Sequence, residues 1–385
     1  MSKVAIVPCQ SYEPQEVYRA VAAGVELLGG MSSFVSPQER VLLKPNLLRR
    51  STPDQGVTTH PAVFEAAARL VLEAGCTQVS WGDSPGGAGV SPARVGHAAG
   101  ITGPAGRLGI TLADFTRGVD TPFPQGHLAK HFLICPGALE ADAIINLCKM
   151  KTHALECITG AVKNTFGVVY GAAKAADHVK YPDPDSFAQM LVDLNRRITP
   201  RLHIMDGVMA MEGNGPAGGT LVQMGVLLFS QDPVALDAVF CRLVHLSPPV
   251  VPTNVKGRAA GIGTWREEEI TLLCPDGPLE MGEAVARWGN PDFDVVRTGG
   301  GGGLLGRSAA ALRVFGPRPV IEEEKCVRCG VCIQACPVQD KALHRDGADQ
   351  VPRYDYNKCI RCFCCQELCP AQAIVVQGRK TEAPQ

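Results

Sequence analysis

Two stretches late in the chain share one spacing: Cys326-Val327-Arg328-Cys329-Gly330-Val331-Cys332-Ile333-Gln334-Ala335-Cys336-Pro337 and Cys359-Ile360-Arg361-Cys362-Phe363-Cys364-Cys365-Gln366-Glu367-Leu368-Cys369-Pro370. Thiolates at two-residue intervals wrap a loop around one cubane. The fourth cysteine, on the following helical turn, points to a neighbouring one. The expectation is two 4Fe-4S clusters with crossed ligands. Cys326, Cys329, Cys332 and Cys369 hold the first, and Cys336, Cys359, Cys362 and Cys365 hold the second. A zinc ribbon has no use for two interlocking runs that each end in Cys-Pro. Cys364 interrupts the second run and reads as a free thiol beside the cluster.

Residues 320–377 resemble the two-cluster bacterial ferredoxins, which implies a small α+β domain with a short polar tail to residue 385. The chain has sixteen cysteines in 385 residues. Disulfide-rich secreted scaffolds are usually short, whereas this chain has material for a large core, and metal ligation is the better account. The start, Met1-Ser2-Lys3 before Val4–Val7, reads as a first strand and not as a secretory signal, so the cytoplasm is the expected location. Seven further cysteines are scattered, most of them expected as small buried hydrophobes. Cys148 and Cys157 flank a polar motif and keep a reactive alternative.

Composition narrows the function classes. A net charge of −1 with no basic run gives no electrostatic footprint for nucleic acid, and 5% aromatic residues leave few stacking platforms. No stretch approaches the roughly 18 apolar residues that cross a bilayer, so no membrane partner is expected. The run Gly299–Gly303 separates the cysteine region from everything before it. It is read as part of a linker over 299–319, either a short flexible coil or a loop ordered by packing.

Residues 1–298 alternate apolar runs with helical stripes. Val4–Val7, Val41–Leu43, Val79–Trp81, Ala143–Leu147 and Leu202–Met205 read as buried strands. Pro61–Ala74 and the stripe Phe187, Met190, Leu191, Leu194 and Ile198 read as helices, the second entered through Asp185 as N-cap. Asp232-Pro233 opens a third. The fold class is α/β, a layered and mostly parallel sheet with helices on both faces.

Ligands gather where such strands end. Lys44-Pro45-Asn46, Asp83 in Gly82–Gly87, Lys149-Met150-Lys151-Thr152-His153, and Asp206-Gly207 all fall there in this reading. Thr159–Gly167 adds Lys163 and Asn164; with 154–166 helical, Thr159 and Lys163 would share a face. Lysines and amides of this kind suit a carboxylate, a phosphate or a developing enolate. Lys44, Asn46, Lys151, Lys163 and Asn164 are therefore the candidate anion-binding residues, with His153, Asp83 and Asp206 as proton-handling groups. The glycine-rich loop Glu212–Gly219 offers Gly213 and Gly215 as backbone donors, or else is a plain turn. It matches neither the P-loop nor the dinucleotide fingerprint, so flavin and nicotinamide are not supported. His60 and His97 read as structural.

These same motifs, together with Asp232-Pro233-Val234-Ala235-Leu236-Asp237, resemble the family called domain of unknown function 362 over roughly residues 38–297. Its members often carry a ferredoxin-like tail. The resemblance implies an iron–sulfur protein and supplies no reaction.

Three functions remain. The first is an oxidoreductase passing electrons from the clusters to an anionic small molecule or bound redox cofactor, fed by an electron donor or acceptor protein. The second is a non-catalytic carrier or assembly factor whose α/β domain binds a partner protein. A non-redox enzyme with structural clusters is the third.

Overall fold

The computed structural model describes residues 1–87, 89–297 and 316–378. The Gly299–Gly303 run lies outside them. In chain order the first strands are β1 (Ser2–Pro8), β2 (Arg40–Lys44), β3 (Gln78–Trp81), β4 (Thr111–Leu112), β5 (Val119–Pro122) and β6 (His131–Ile134). Next come β7 (Ala143–His153), β8 (Cys157–Thr159), β9 (Leu202–Glu212), β10 (Thr220–Ser230), β11 (Ile270–Cys274) and β12 (Gly277–Leu279). Ten of these form one sheet in the order β12-β11-β1-β10-β9-β7-β2-β3-β4, with β8 folded back on β7. One half of it, β9-β7-β2-β3-β4, running out to the edge strand β4, is parallel throughout. The fold is α/β, as expected.

Alternation of side chains sends Val41, Leu43, Ile145 and Leu147 to one face, under helices Pro14–Glu26 and Pro61–Glu73. Leu42 and Ile144 go to the other face, where they meet helix Pro184–Ile198 and the β5–β6 hairpin. Each of these helices starts on a proline, whose fixed φ suits the first turn and whose missing N–H costs nothing there. That placement moves one expected cap. Because Pro184 takes the first helical position, Asp183 and not Asp185 is the N-cap, accepting from Ser186 N at 2.9 Å. Asp232 caps helix Pro233–Leu243 as expected, through Val234 N and Ala235 N.

Two further expectations need correction. Strands β7 and β9 each run eleven residues, so Lys149–His153 and Asp206-Gly207 lie inside strands, not in loops after them. Residues 154–166 are not one helix. The chain turns at Cys157 (φ 63), pairs back as β8, and forms only the short helix Ala161–Asn164, so Thr159 and Lys163 share no helical face. Buried Asp237 holds that helix by accepting from Ala161 N at 2.6 Å and Val162 N at 3.2 Å.

The cysteine region adds β13 (Arg318–Ile321), β14 (Leu343–His344), β15 (Arg353–Tyr354) and β16 (Ile374–Gln377), paired β13-β16 and β14-β15. Its two runs repeat in backbone as well as in spacing. Arg328 and Arg361 both sit at φ 57, and Gly330 and Phe363 both turn left-handed before a short helix. The left-handed residue bends each loop back so that its cysteines face inward.

Candidate functional site

Four cysteines line each of two cavities in this region. Cys326, Cys329, Cys332 and Cys369 line one, and Cys336, Cys359, Cys362 and Cys365 line the other. Both sets draw from both runs. The remaining walls are mostly apolar, Ile321, Ala373 and Ile374 around one and Val338, Leu343 and Phe363 around the other. A four-thiolate donor set in an apolar shell fits an iron–sulfur cluster. Among the described residues no three His, Cys, Asp or Glu side chains converge closely enough for a single metal ion. Cys364 lines neither cavity. Cys148 is packed in the core, where burial drives its thiol pKa well up, so the reactive alternative is withdrawn for it.

The second site grows from neighbouring parallel strands. Register places Lys149 on β7 opposite Asp206 on β9, and their side chains meet at 2.8 Å in a fully buried ion pair. Tyr12 OH donates to Asp206 Oδ1 at 2.8 Å and accepts from Lys149 Nζ at 2.7 Å. The His60 ring stacks on Tyr12 with centroids 3.6 Å apart, while the His60 backbone N–H donates to Asp206 Oδ2 at 3.0 Å. Burial lowers the His60 pKa to about 4. On the other face, Lys44 meets Asp83 at 3.0 Å, and Leu47 N donates to the same carboxylate at 2.6 Å. Gly167 packs over this pair so closely that a Cβ there would lie 1.7 Å from Asp83 Oδ1.

Lys151 differs from both paired lysines. It is 1% exposed, yet its Nζ donates to two neutral oxygens, Asn46 Oδ1 at 2.8 Å and Val57 O at 2.7 Å. Burial pulls its pKa well below the usual lysine value, and Lys163 and Lys149 push it further the same way. A chain of amides continues from it. Asn46 Nδ2 donates to Asn164 Oδ1 at 2.9 Å, Asn164 Nδ2 to Asn146 Oδ1 at 2.7 Å, and Asn146 Nδ2 contacts His203 Nδ1 at 2.9 Å. Lys163 is half-buried 6.0 Å from the Phe166 ring centroid and, among the described residues, has no carboxylate in ion-pair range.

His153 ends β7 and reaches the cysteine region. Its Nδ1 accepts from Leu155 N and Glu156 N, both at 3.1 Å, which leaves the ring proton on Nε2, 2.8 Å from Glu367 Oε1. Burial lowers its pKa to about 4. Burial pushes the Glu367 carboxyl up, but Lys163 and His153 outweigh it and hold the group below its usual range. This hydrogen bond links the α/β domain to the cysteine region.

The glycine-rich loop also differs from the expected anion cradle. Gly213 N donates to Asp294 O at 2.8 Å, Gly215 N to Thr152 Oγ1 at 3.2 Å, and Gly218 N to Asn214 O at 3.3 Å. The loop's carbonyls face the cysteine region instead: Gln366 Nε2 donates to Asn214 O at 2.8 Å and Gly215 O at 3.1 Å, and Gln372 Nε2 to Ala217 O at 3.0 Å. Asn214, Gly215 and Ala217 of this loop therefore dock one domain on the other, while Gly213 is bonded within the α/β domain. Tyr12, His60, Asn146 and Glu367 join the site without having been selected from sequence, and Lys149, noted there only as part of its motif, joins it through Asp206. Tyr12 carries no local signal at all. Glu367 was hidden as spacer within the second cysteine run.

Residues 318–370 match the 4Fe-4S dicluster domain, which makes this an iron–sulfur protein. Residues 41–242 match the Domain of unknown function (DUF362), and the chain belongs to that family. A thylakoid-associated protein of Synechocystis sp. is 38% identical over 303 residues, covering 76% of this chain and 88% of that protein. Among solved structures, the lactate racemase apoprotein from Thermoanaerobacterium thermosaccharolyticum is 10% identical with TM-score 0.39, over 62% of this chain and 56% of that one. A Thermotoga maritima protein is 14% identical with TM-score 0.31, over 52% and 51%. The chain thus spans little more than half the length of either solved structure. No helix among the described residues is long and apolar enough to cross a membrane.

Proposed function

We propose that this chain is an iron–sulfur oxidoreductase. In this reading Cys326, Cys329, Cys332 and Cys369 bind one 4Fe-4S cluster and Cys336, Cys359, Cys362 and Cys365 bind the other. An anionic substrate or bound redox cofactor sits at Lys151 and Lys163, and a redox partner protein completes the electron path. One observation carries the reading: β7, which bears Lys149 and Lys151, ends at His153 on Glu367, between Cys365 and Cys369. The polar site and the cysteine ligands are thus joined by one strand and one hydrogen bond.

The clusters supply one-electron transfers when bound. The side chains divide the rest. Lys44 and Lys149 are neutralised by Asp83 and Asp206, so those four shape the site and do not bind the substrate. Lys151 has no such partner, and an arriving anion restores the charged ammonium that burial disfavours. Its proton is then available beside the substrate, which makes Lys151 and not His153 the proton carrier. Asn46 and Asn164 hold the amine in place through the amide chain.

The carrier reading is favoured by a different observation. Lys44, Lys149 and Lys151 are at most 1% exposed, so a small molecule needs an opening motion to reach them. Thermal shift with small carboxylates and phosphates separates the two. The oxidoreductase reading predicts stabilisation of the wild type and its loss in Lys151→Met and Lys163→Met, roughly ten- to a hundred-fold in affinity. A wild type that no anion stabilises supports the carrier. A cytoplasmic location is part of the proposal and suits a chain that keeps cluster-ligating thiols reduced.

A further inference from the structure

Arg49 leaves the loop after β2 and lies 8% exposed where the α/β domain meets the cysteine region. Its Nη2 donates to Ala217 O at 3.2 Å, and Gln372 Nε2 donates to the same carbonyl at 3.0 Å. Gln372 follows Cys369 by three residues and returns its own N–H to Cys369 O at 3.2 Å. On the other side, Leu48 O accepts from Gly86 N at 2.8 Å, and a Cβ on Gly86 would meet Leu368 Cδ2 at 2.7 Å. The loop that carries Arg49 is therefore packed against Leu368–Gln372.

The guanidinium is poorly provided for in that position. Its Nε is buried without a hydrogen-bond partner, and among the described residues no carboxylate forms an ion pair with it. Burial lowers its pKa, and the group opposing that effect is the thiolate of Cys369. Arginine stays protonated in proteins, so a buried one demands a counter-charge. The internal repeat shows what is missing. Arg361 of the second run acts on Cys359, whereas its repeat mate Arg328 is exposed. The first run thus has only an exposed arginine where the second has a half-buried one.

We propose that Arg49 is the counter-charge of the cluster held by Cys326, Cys329, Cys332 and Cys369, raising its reduction potential from the neighbouring domain. The proposal rests on the cluster reading above and goes beyond it. A four-thiolate cluster gains a further negative charge on reduction, and net charge around a cluster is one of the levers on its potential. A fixed cation at Cys369 favours the reduced state, and the seam between the domains thereby sets the redox balance.

The test uses the full chain, loaded anaerobically, as wild type, Arg49→Gln, Arg49→Met and Arg49→Lys. Potentiometric titration followed through hyperfine-shifted cysteine Cβ protons distinguishes the two clusters. The neutral variants should lose roughly tenfold in the one-electron reduction equilibrium of the Cys369 cluster, about 59 mV, with the other cluster unchanged. Arg49→Lys should stay near wild type. Neutral variants that fail to take up iron, beside a lysine variant that loads normally, would equally establish the charge requirement. A loaded Arg49→Gln protein at the wild-type potential overturns the proposal, as does a lysine variant that behaves like glutamine. Wild type without iron would instead sink the cluster reading itself, a separate outcome.

Discussion

The α/β domain and the cysteine region are built on opposite principles. The large sheet is closed by Val, Ile, Leu and Phe on both faces, and two of its buried lysines, Lys44 and Lys149, are paired with Asp83 and Asp206. In the cysteine region five of the nine buried residues of the core are cysteines, Cys332, Cys336, Cys359, Cys365 and Cys369, and its strands are two to four residues long. Apolar burial supplies the driving force for the first. The second has too little of it and depends on what the thiolates bind. Removing iron by anaerobic chelation should therefore have the largest effect of any perturbation here. Hydrogen exchange should show residues 316–378 losing protection while β7 and β9 keep theirs. Equal loss in both regions would break the contrast.

The same contrast explains what could be read from the chain. Cysteine spacing is a local signal, and the two cavities contain the eight cysteines expected, in the expected crossed sets. Strand-helix alternation was local too, and the α/β class followed from it. The polar site is set by register between distant strands. Lys149 meets Asp206 because β7 and β9 are neighbours, and Tyr12 joins them across nearly two hundred residues of sequence. Nothing in the order of residues announces that pairing. The lengths of β7 and β9 were misjudged because a run of lysines with a histidine looks like a solvated loop, and only burial under neighbouring elements makes it strand.

Within the α/β domain, the buried pairs should behave differently from exposed ones. Asp206→Asn leaves the Lys149 ammonium buried without its carboxylate, and should cost about 3–5 kcal/mol in urea unfolding. Adding Lys149→Met should recover much of that loss. Asp142→Asn, which breaks the exposed pair with Arg40, should leave the transition near wild type. A small effect at Asp206 would mean that water reaches the site.

A smaller effect sharpens the link between the two regions. The folded-state pKa of His153 is about 4 against 6.5 for the free side chain. As pH falls through that window the unfolded chain binds the proton first, so folding loses stability with acid. His153→Gln removes that titration. The stability of wild type relative to the variant should fall from pH 6.5 to 4, by about 1 kcal/mol per pH unit at most. A difference that is flat with pH would show that His153 is not held neutral against Glu367.

The central claim is that both cysteine runs contribute to both clusters, and Cys336→Ala tests it most directly. Wild type should carry roughly eight irons per chain with matching acid-labile sulfide. In reduced Cys336→Ala, paramagnetic resonance should show the cluster of Cys359, Cys362 and Cys365 altered and that of Cys326, Cys329 and Cys332 intact. Damage confined to the cluster of Cys326, Cys329 and Cys332, or stoichiometric zinc in place of iron and sulfide, would contradict it.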